Sequence, residues 1–300
     1  MKNKKVGVVV DYDFHSKRKW CCFCTYYLFE AVKNAFDGVW ITSQAEYDRL
    51  KGEIGYIFTG EFGTPKLNYD TTLDQKICYL FGDPHHSIKQ EWFLPYIESN
   101  EIDYILAYYK EPSMRHFPNM PLDKFVHFTW AIPDEFANYS VRQNNSAHIG
   151  LCGSMSEKSL AYRTRFWCSQ FDFVLPNNAG GCSKRIFTDK EYFDWLSSRD
   201  AVIAAGSDEY KMVTPKYFEI AVSGALLIGQ DCPDLASLGF NDSNSVIFTE
   251  ETFETKARDC LKNPEKYLEI RKNGQELIRQ RHLVSHRIDK LRELWGLQEC

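Results

Sequence analysis

The stretch TPKYFEIAVSGALLIG, residues 214–229, sets two charged side chains, Lys216 and Glu219, among apolar neighbours. A cation and a carboxylate three residues apart on a helix share one stripe. They can shield each other in water, or they can hold a ligand that carries both phosphate and hydroxyl groups. Two further groupings have acid–base potential: Asp83, His85 and His86 in GDPHHS (82–87), and Asp11, Asp13 and His15 in DYDFH (11–15). Carboxylates and imidazoles so grouped can accept a proton from a hydroxyl. Turn chemistry around Asp-Pro and solvated loop carboxylates are the plain alternatives for both.

Short apolar runs alternate with amphipathic stretches, and these must position the chemistry. Candidate strands in the first half are 6–10, 38–42, 54–59, 78–82, 103–109 and 125–130, with helices at 21–35, 44–51 and 88–99. Continuous apolar strands of this length suit a parallel sheet covered on both faces. The polar run 131–148, with Pro133 and RQNNS, reads as an interdomain linker. Strands then resume at 148–154, 171–176, 200–206 and 245–248, with helices near 158–169 and 189–198, and two more at 264–280 and 285–295. The expected architecture is α/β, two Rossmann-like domains facing across a cleft. Their bounds are 1–140 and 141–284, with 285–300 as a helix packing back on the first.

Within 214–229, Thr214 suits an N-cap, Pro215 the first helical position and Gly224 the C′ position. Phe218, Ala221 and Val222 form an apolar stripe. Lys216, Glu219 and Ser223 fall opposite, which for an isolated helix means a solvated face. The preceding strand and loop instead set this helix tip at the carboxyl edge of the sheet, where open α/β folds bind ligands. Phosphate at the tip beside Lys216, and a ribose one turn away at Glu219, describe a nucleoside diphosphate.

Composition excludes little but trims the field. The 300 residues carry a net charge of -5, so nothing general draws the chain to nucleic acid or anionic lipid. No apolar run approaches the ~20 residues of a membrane helix. Val6–Val10 is too short for a signal-peptide core, so a cytoplasmic location is expected. The ten cysteines read mostly as reduced core residues. Cys21, Cys22 and Cys24 in CCFC lack zinc-site spacing. The basic HSKRKW (15–20) reads as a solvated loop, or as a lure for an anionic acceptor. Neither half carries G-x-G-x-x-G after its first strand, against a dinucleotide oxidoreductase.

Residues 148–290 resemble the C-terminal half of group 1 glycosyltransferases of GT-B fold, in the branch typified by CgeB-like spore-maturation proteins. The likeness rests on a basic residue before Phe-Glu, on FEIAVSGALLI, on the Asn263-Pro264 helix start, on the closing RHLVSHR, and on IGLCGSMSEKSLAYRTRFW upstream. It implies that Glu219 holds the ribose of a nucleotide-diphosphate sugar and Lys216 its diphosphate, with Thr214 opening the helix. Gly153 and Ser154 would let the diphosphate approach the backbone, with Arg163 or Arg165 assisting. Many such enzymes carry a second glutamate where this chain has Lys211. The implied function is a metal-independent glycosyltransferase with no cofactor beyond its donor, acting on a surface glycan, a natural product or a modified nucleobase, DNA bases included. Asp83, His85 and Asp13 are the candidate acceptor bases; no metal ligands are expected, and Asp11–Asp13 read as loop carboxylates. A fucosyltransferase-like GT-B enzyme and a non-catalytic sugar-nucleotide binder are the alternatives.

Overall fold

The apolar runs become strands because each can be covered on both faces, and the amphipathic segments between them supply the cover. The computed structural model of the protein describes residues 4–16, 23–60, 64–86, 88–177, 180–181, 184–185 and 187–297. Cys21, Cys22 and most of the basic run 15–20 lie outside the described residues. Two units divide the chain: Met1–Thr129 with Val284–Cys300, and Trp130–Leu283. The sequence had suggested breaks at 140/141 and 284/285.

In the first unit the elements run β1 (Lys5–Val9), α1 (Tyr12–Ser16), α2 (Phe23–Ala35), β2 (Val39–Ile41), α3 (Gln44–Leu50), β3 (Ile54–Gly60), β4 (Lys76–Phe81), α4 (Ile88–Ser99), β5 (Tyr104–Ala107), α5 (Lys110–His116) and β6 (Phe125–His127). The six strands form one parallel sheet in the order β2-β1-β3-β4-β5-β6. Val9, Ile57, Phe81 and Ile105 bury one face against α4, where Phe93 stacks on Phe81 with ring centroids 4.2 Å apart. The expected strand 103–109 ends at Ala107, and α5 follows where no helix was anticipated. Pro112 in its first turn, where a missing N–H costs little, was the available signal.

The second unit continues with β7 (Ile149–Cys152), α6 (Tyr162–Cys168), β8 (Val174–Asn177), a two-residue pair β9 (Gly180–Gly181) and β10 (Lys184–Arg185), α7 (Asp189–Ser197), β11 (Ala201–Ala204), α8 (Pro215–Val222), β12 (Leu226–Gln230), β13 (Val246–Phe248), α9 (Glu250–Lys262) and α10 (Leu268–Arg281). Its sheet, ordered β13-β12-β11-β7-β8, is also parallel throughout. The chain is thus α/β with two parallel sheets. In each unit the first strand has its successor on one side and the third on the other, so chain order reverses at β1/β3 and at β7/β11. Ligands of doubly wound sheets bind in the crevice at such reversals.

The last helix, α11 (Val284–Trp295), belongs to the first unit. Trp295 is buried there, 5.0 Å from the Phe36 ring and 5.5 Å from that of Tyr56.

Residues 137–146 read as linker in the sequence, but they form a strap fixed to the second unit. Arg279 donates to the carbonyls of Ala137 and Tyr139, Gln275 to Tyr139, and Arg271 to Arg142. Asp200 accepts the Asn144 and Ser146 amides and pairs with Arg271 at 3.0 Å. Gly224 closes α8 at φ 80°, and a Cβ there would lie 3.2 Å from the Val141 backbone, so the strap seats against a position only glycine fills comfortably.

Candidate functional site

The two charges of the opening stretch are not a solvated face. Helix α8 packs against β11 and β12, α7 and α10, and Lys216 alone of its residues is not buried. Glu219 and Ser223 are both wholly buried. The plain alternative of a solvated stripe is thereby set aside: the stripe opposite Phe218 meets other elements more than water. Ser223 turns its hydroxyl back to the Ile220 carbonyl.

Glu219 anchors a small buried network. Its Oε2 lies 2.6 Å from Lys216 Nζ and accepts the Tyr192 hydroxyl at 2.9 Å. Lys216 also stands 4.7 Å above the Tyr192 ring, a cation–π placement. Tyr192 Oη reaches Cys152 Sγ at 3.4 Å, which ties the network to the end of β7. Burial, with Cys152 and Glu219 close by, holds the Tyr192 phenol well above its usual range, so it stays a donor. Burial likewise raises the Cys152 thiol, with Lys216 pulling the other way. A carboxylate so deep persists because a cation and a hydroxyl both serve it.

The rest of this carboxyl edge is braced. Gly153 after β7 has φ 130°, and a Cβ there would meet the Arg165 guanidinium at 2.6 Å. Arg165 is buried and donates to the Ser154 carbonyl at 2.9 Å and to Ser159 Oγ at 2.7 Å. The guanidinium supporting the Gly153–Ser154 turn is therefore that of Arg165, whereas Arg163 is exposed. Asp208 lies in the loop between β11 and α8. It accepts the amides of Arg163 and Thr164 and the Thr164 hydroxyl, so it caps α6 and pins the loop before α8. Gln230 at the end of β12 accepts the Gly206 amide and donates to Thr164 Oγ1. Thr214 precedes α8 with extended backbone and makes no side-chain cap bond, and Pro215 takes the first helical position. Lys211, in the same loop, is left-handed at φ 51°.

In the first unit a cleft of about 740 Å³ opens at the β1/β3 reversal, lined by Asp11, Tyr12, Asp13, Trp40, Thr42, Thr64 and Pro65. Asp13 is thus in a cavity wall. Asp83 and His85 follow β4, one strand beyond β3, and are not among the described lining residues. They form their own group with His86: His86 Nε2 is 3.8 Å from Asp83 Oδ2, and the two imidazoles lie 4.2 Å apart. One ligand atom from each of Asp83, His85 and His86 falls within a 4.8 Å span, a donor set that a divalent transition metal can use. The sequence reading had expected no metal ligands. The three base candidates therefore divide into two places.

With this geometry in place, comparison with known proteins bears on identity. A family described as glycosyl transferase-like matches residues 144–293, half of the chain. The chain belongs to that family. This glycosyltransferase has the fold of solved relatives at 10% identity. HepE of Anabaena, solved with UDP and glucose, aligns with TM-score 0.62 over 98% of this chain and 100% of its own. A Rickettsia africae glycosyltransferase aligns with TM-score 0.59 at 10% identity, over 98% of both chains. TarM of S. aureus aligns with TM-score 0.57 at 10% identity over 91% of this chain, which spans only 58% of TarM. No curated protein matches significantly. Among the described residues of the glycosyltransferase, no helix is long and apolar enough to cross a membrane.

Sequence reasoning singled out Lys216 and Glu219 as candidates but not Tyr192, Asp208 or Gln230. Tyr192 sits in the apolar stripe of α7 beside Phe193 and Leu196, and its hydroxyl partners come by tertiary approach, from α8 and from the end of β7. Asp208 could have been suspected, because a loop carboxylate is a ready cap for a neighbouring helix.

Proposed function

We propose that the chain transfers a sugar from a nucleotide-diphosphate sugar to a hydroxyl acceptor, by metal-independent chemistry, as a member of the CgeB-like branch. The observation that carries this reading is the buried Lys216–Glu219–Tyr192 network at the carboxyl edge beside the β7/β11 reversal. A carboxylate held deep by a lysine and a tyrosine is more than surface stability requires. Glu219 takes the ribose hydroxyls, and Lys216 leaves it for the diphosphate. Thr214 and the α8 tip receive the diphosphate, and Arg165 braces the Gly153–Ser154 turn it approaches; Arg163 contributes only its amide. UDP is the first nucleotide to test, since HepE, of like fold, was solved with UDP-glucose.

In the transfer, the bond from the anomeric carbon to the diphosphate oxygen breaks and its electron pair leaves with the diphosphate. Lys216 and the helix-tip dipole stabilise that charge where it develops. The acceptor oxygen bonds the anomeric carbon and its proton passes to a base: Asp13, or Asp83 with His85. Family membership and the fold support transfer in general; the buried network supports the donor.

The test is a thermal-shift panel of UDP, GDP, TDP and CDP. A ligand at a hundred times its dissociation constant adds about 2.7 kcal/mol, a readily measured shift. One nucleotide is expected to stabilise the protein, with a smaller shift in Glu219→Gln. No shift with any nucleotide overturns the donor reading.

A further inference from the structure

Asp83, His85 and His86 lie in the short loop between β4 and α4, and one ligand atom of each falls within 4.8 Å of the others. The backbone accounts for that convergence. At the end of β4 the Phe81 carbonyl accepts the Tyr108 amide at 3.2 Å, and the Phe81 ring stacks on Phe93 of α4. Between these anchors Pro84 is buried and shares a turn with His85, so its fixed φ holds the bend that brings His86 back toward Asp83.

Distance separates an ion site from an ordinary turn. His86 Nε2 stands 3.8 Å from Asp83 Oδ2, beyond the about 2.7–3.2 Å of an N–H···O hydrogen bond. The same separation suits two donors of one ion, because two bonds of about 2.1 Å reach across as much as about 4.2 Å. A donor pair at the full 4.8 Å closes by about 0.6 Å to fit, which small side-chain rotations supply. The rim of the set is wet and its floor is dry. The Asp83 side chain is 23% exposed and that of His86 52%, so an ion can enter from solvent, whereas both ring nitrogens of His85 are closed to water.

We propose that Asp83, His85 and His86 bind one divalent transition-metal ion, zinc being the first to test, and that the ion braces the β4–α4 loop. Two imidazole nitrogens with one carboxylate oxygen select its class. Magnesium and calcium take oxygen donors, whereas imidazole suits zinc and its transition-metal neighbours. Three protein donors leave a position that water completes. No bond of the transfer is made or broken at the ion. Once bound, the ion engages lone pairs of Asp83 and His85, so taking the acceptor proton falls to Asp13. That consequence alone rests on the transferase reading; metal binding itself is read without nucleotide or acceptor.

The experiment is a calorimetric titration of zinc chloride into the whole protein, cleared of metal by a chelator, without nucleotide and without a polyhistidine tag. One ion per chain is expected to bind at this site and to raise the melting temperature. His86→Ala, at an exposed position, and Asp83→Asn each weaken that binding about tenfold or more, the least that losing a ligand costs when residues behind ligands are worth as much. Magnesium binds far more weakly. Cobalt(II) separates this set from the ten cysteines, because thiolate ligands add a strong charge-transfer band that imidazole and carboxylate do not. The part of the cobalt spectrum that His86→Ala removes should lack that band. Absence of zinc binding, zinc binding unchanged in both variants, magnesium binding as tight as zinc, or a thiolate band in the part removed overturns the proposal. Parallel UDP titrations keep the two readings apart: zinc binding without UDP binding defeats the donor assignment alone, and the reverse defeats this one alone.

Discussion

Lys216 Nζ and Glu219 Oε2 lie 2.6 Å apart across one turn of α8, with the Glu219 side chain wholly buried and that of Lys216 19% exposed. The pair is therefore asymmetric. Lys216 has a way out to solvent or to a ligand, whereas Glu219 has none without rearrangement. Removing the lysine strands a carboxylate in the interior. Lys216→Ala is expected to destabilise the protein by about 3 kcal/mol, the lower end of what breaking a buried pair costs because Lys216 is partly wet. Glu219→Gln, which keeps an acceptor for Tyr192, should cost less. Urea unfolding of both variants checks this; equal and small losses would mean that the pair adds little to stability.

Tyr192 is a positioning residue, since it holds Glu219 and stands under the Lys216 ammonium. Tyr192→Phe keeps the ring under Lys216 and deletes one bond to the carboxylate. The expected cost is about 1–3 kcal/mol, that of a buried acceptor losing a donor. A double-mutant cycle with Lys216→Met should show coupling above ~0.5 kcal/mol, because both act on one oxygen. Additive effects would contradict the network.

The strap 137–146 depends on Arg271 and Asp200. Asp200→Ala leaves Arg271 buried without its anion and frees the Asn144 and Ser146 amides. A loss of about 3–5 kcal/mol is expected. Amide exchange at Asn144 and Ser146 should rise in the variant well before the sheet strands respond. Uniform exchange across the second unit would mean the strap opens only with the whole unit.

Acid stability follows from carboxyls held low. Asp70 is held at about 2, by Lys51 first and then by Thr72, and Asp259 at about 2 by Lys266, Tyr267 and Asn263. Burial pushes Asp200 upward, but the Asn144 and Ser146 amides and Arg271 outweigh it and leave it below its usual value. Each folded-state pKa lies below the unfolded one, so the stabilisation is complete above about pH 4 and is lost as pH falls toward about 2. Asp70→Asn and Asp259→Asn should each flatten the fall in melting temperature over that interval. Unchanged slopes would remove these groups from the acid response.

Much of the fold is legible in the residues, for a physical reason. Runs such as Val6–Val10 and Ile54–Thr59 can be buried on both faces only in a covered parallel sheet, and the helices between them follow from that need. The caps of α8 were equally readable, because Pro215 and Gly224 each suit one backbone position. What failed was the side of α8. Helical spacing gives a stripe opposite Phe218, but not whether water or α7 faces it. Tyr192 and Asp208 stayed hidden for the same reason, since their partners come from elements 27 and 44 residues away. The polar strap looked like linker because its anchors, Arg271, Gln275 and Arg279, lie far along the chain. Asp13 and Asp83 looked alike as strand-end carboxylates, and only the strand order sends one to the cleft wall and the other to a cluster with His85.

The most direct test of the donor assignment is a calorimetric titration of UDP into the protein and into Glu219→Gln, with circular dichroism confirming that both are folded. UDP should bind the unmodified protein, and the neutral amide should weaken it by about tenfold or more, the worth of a charged hydrogen bond to ribose. Equal affinity in the two proteins would mean that the Glu219 charge serves the fold alone and that the nucleotide, if bound, is held elsewhere.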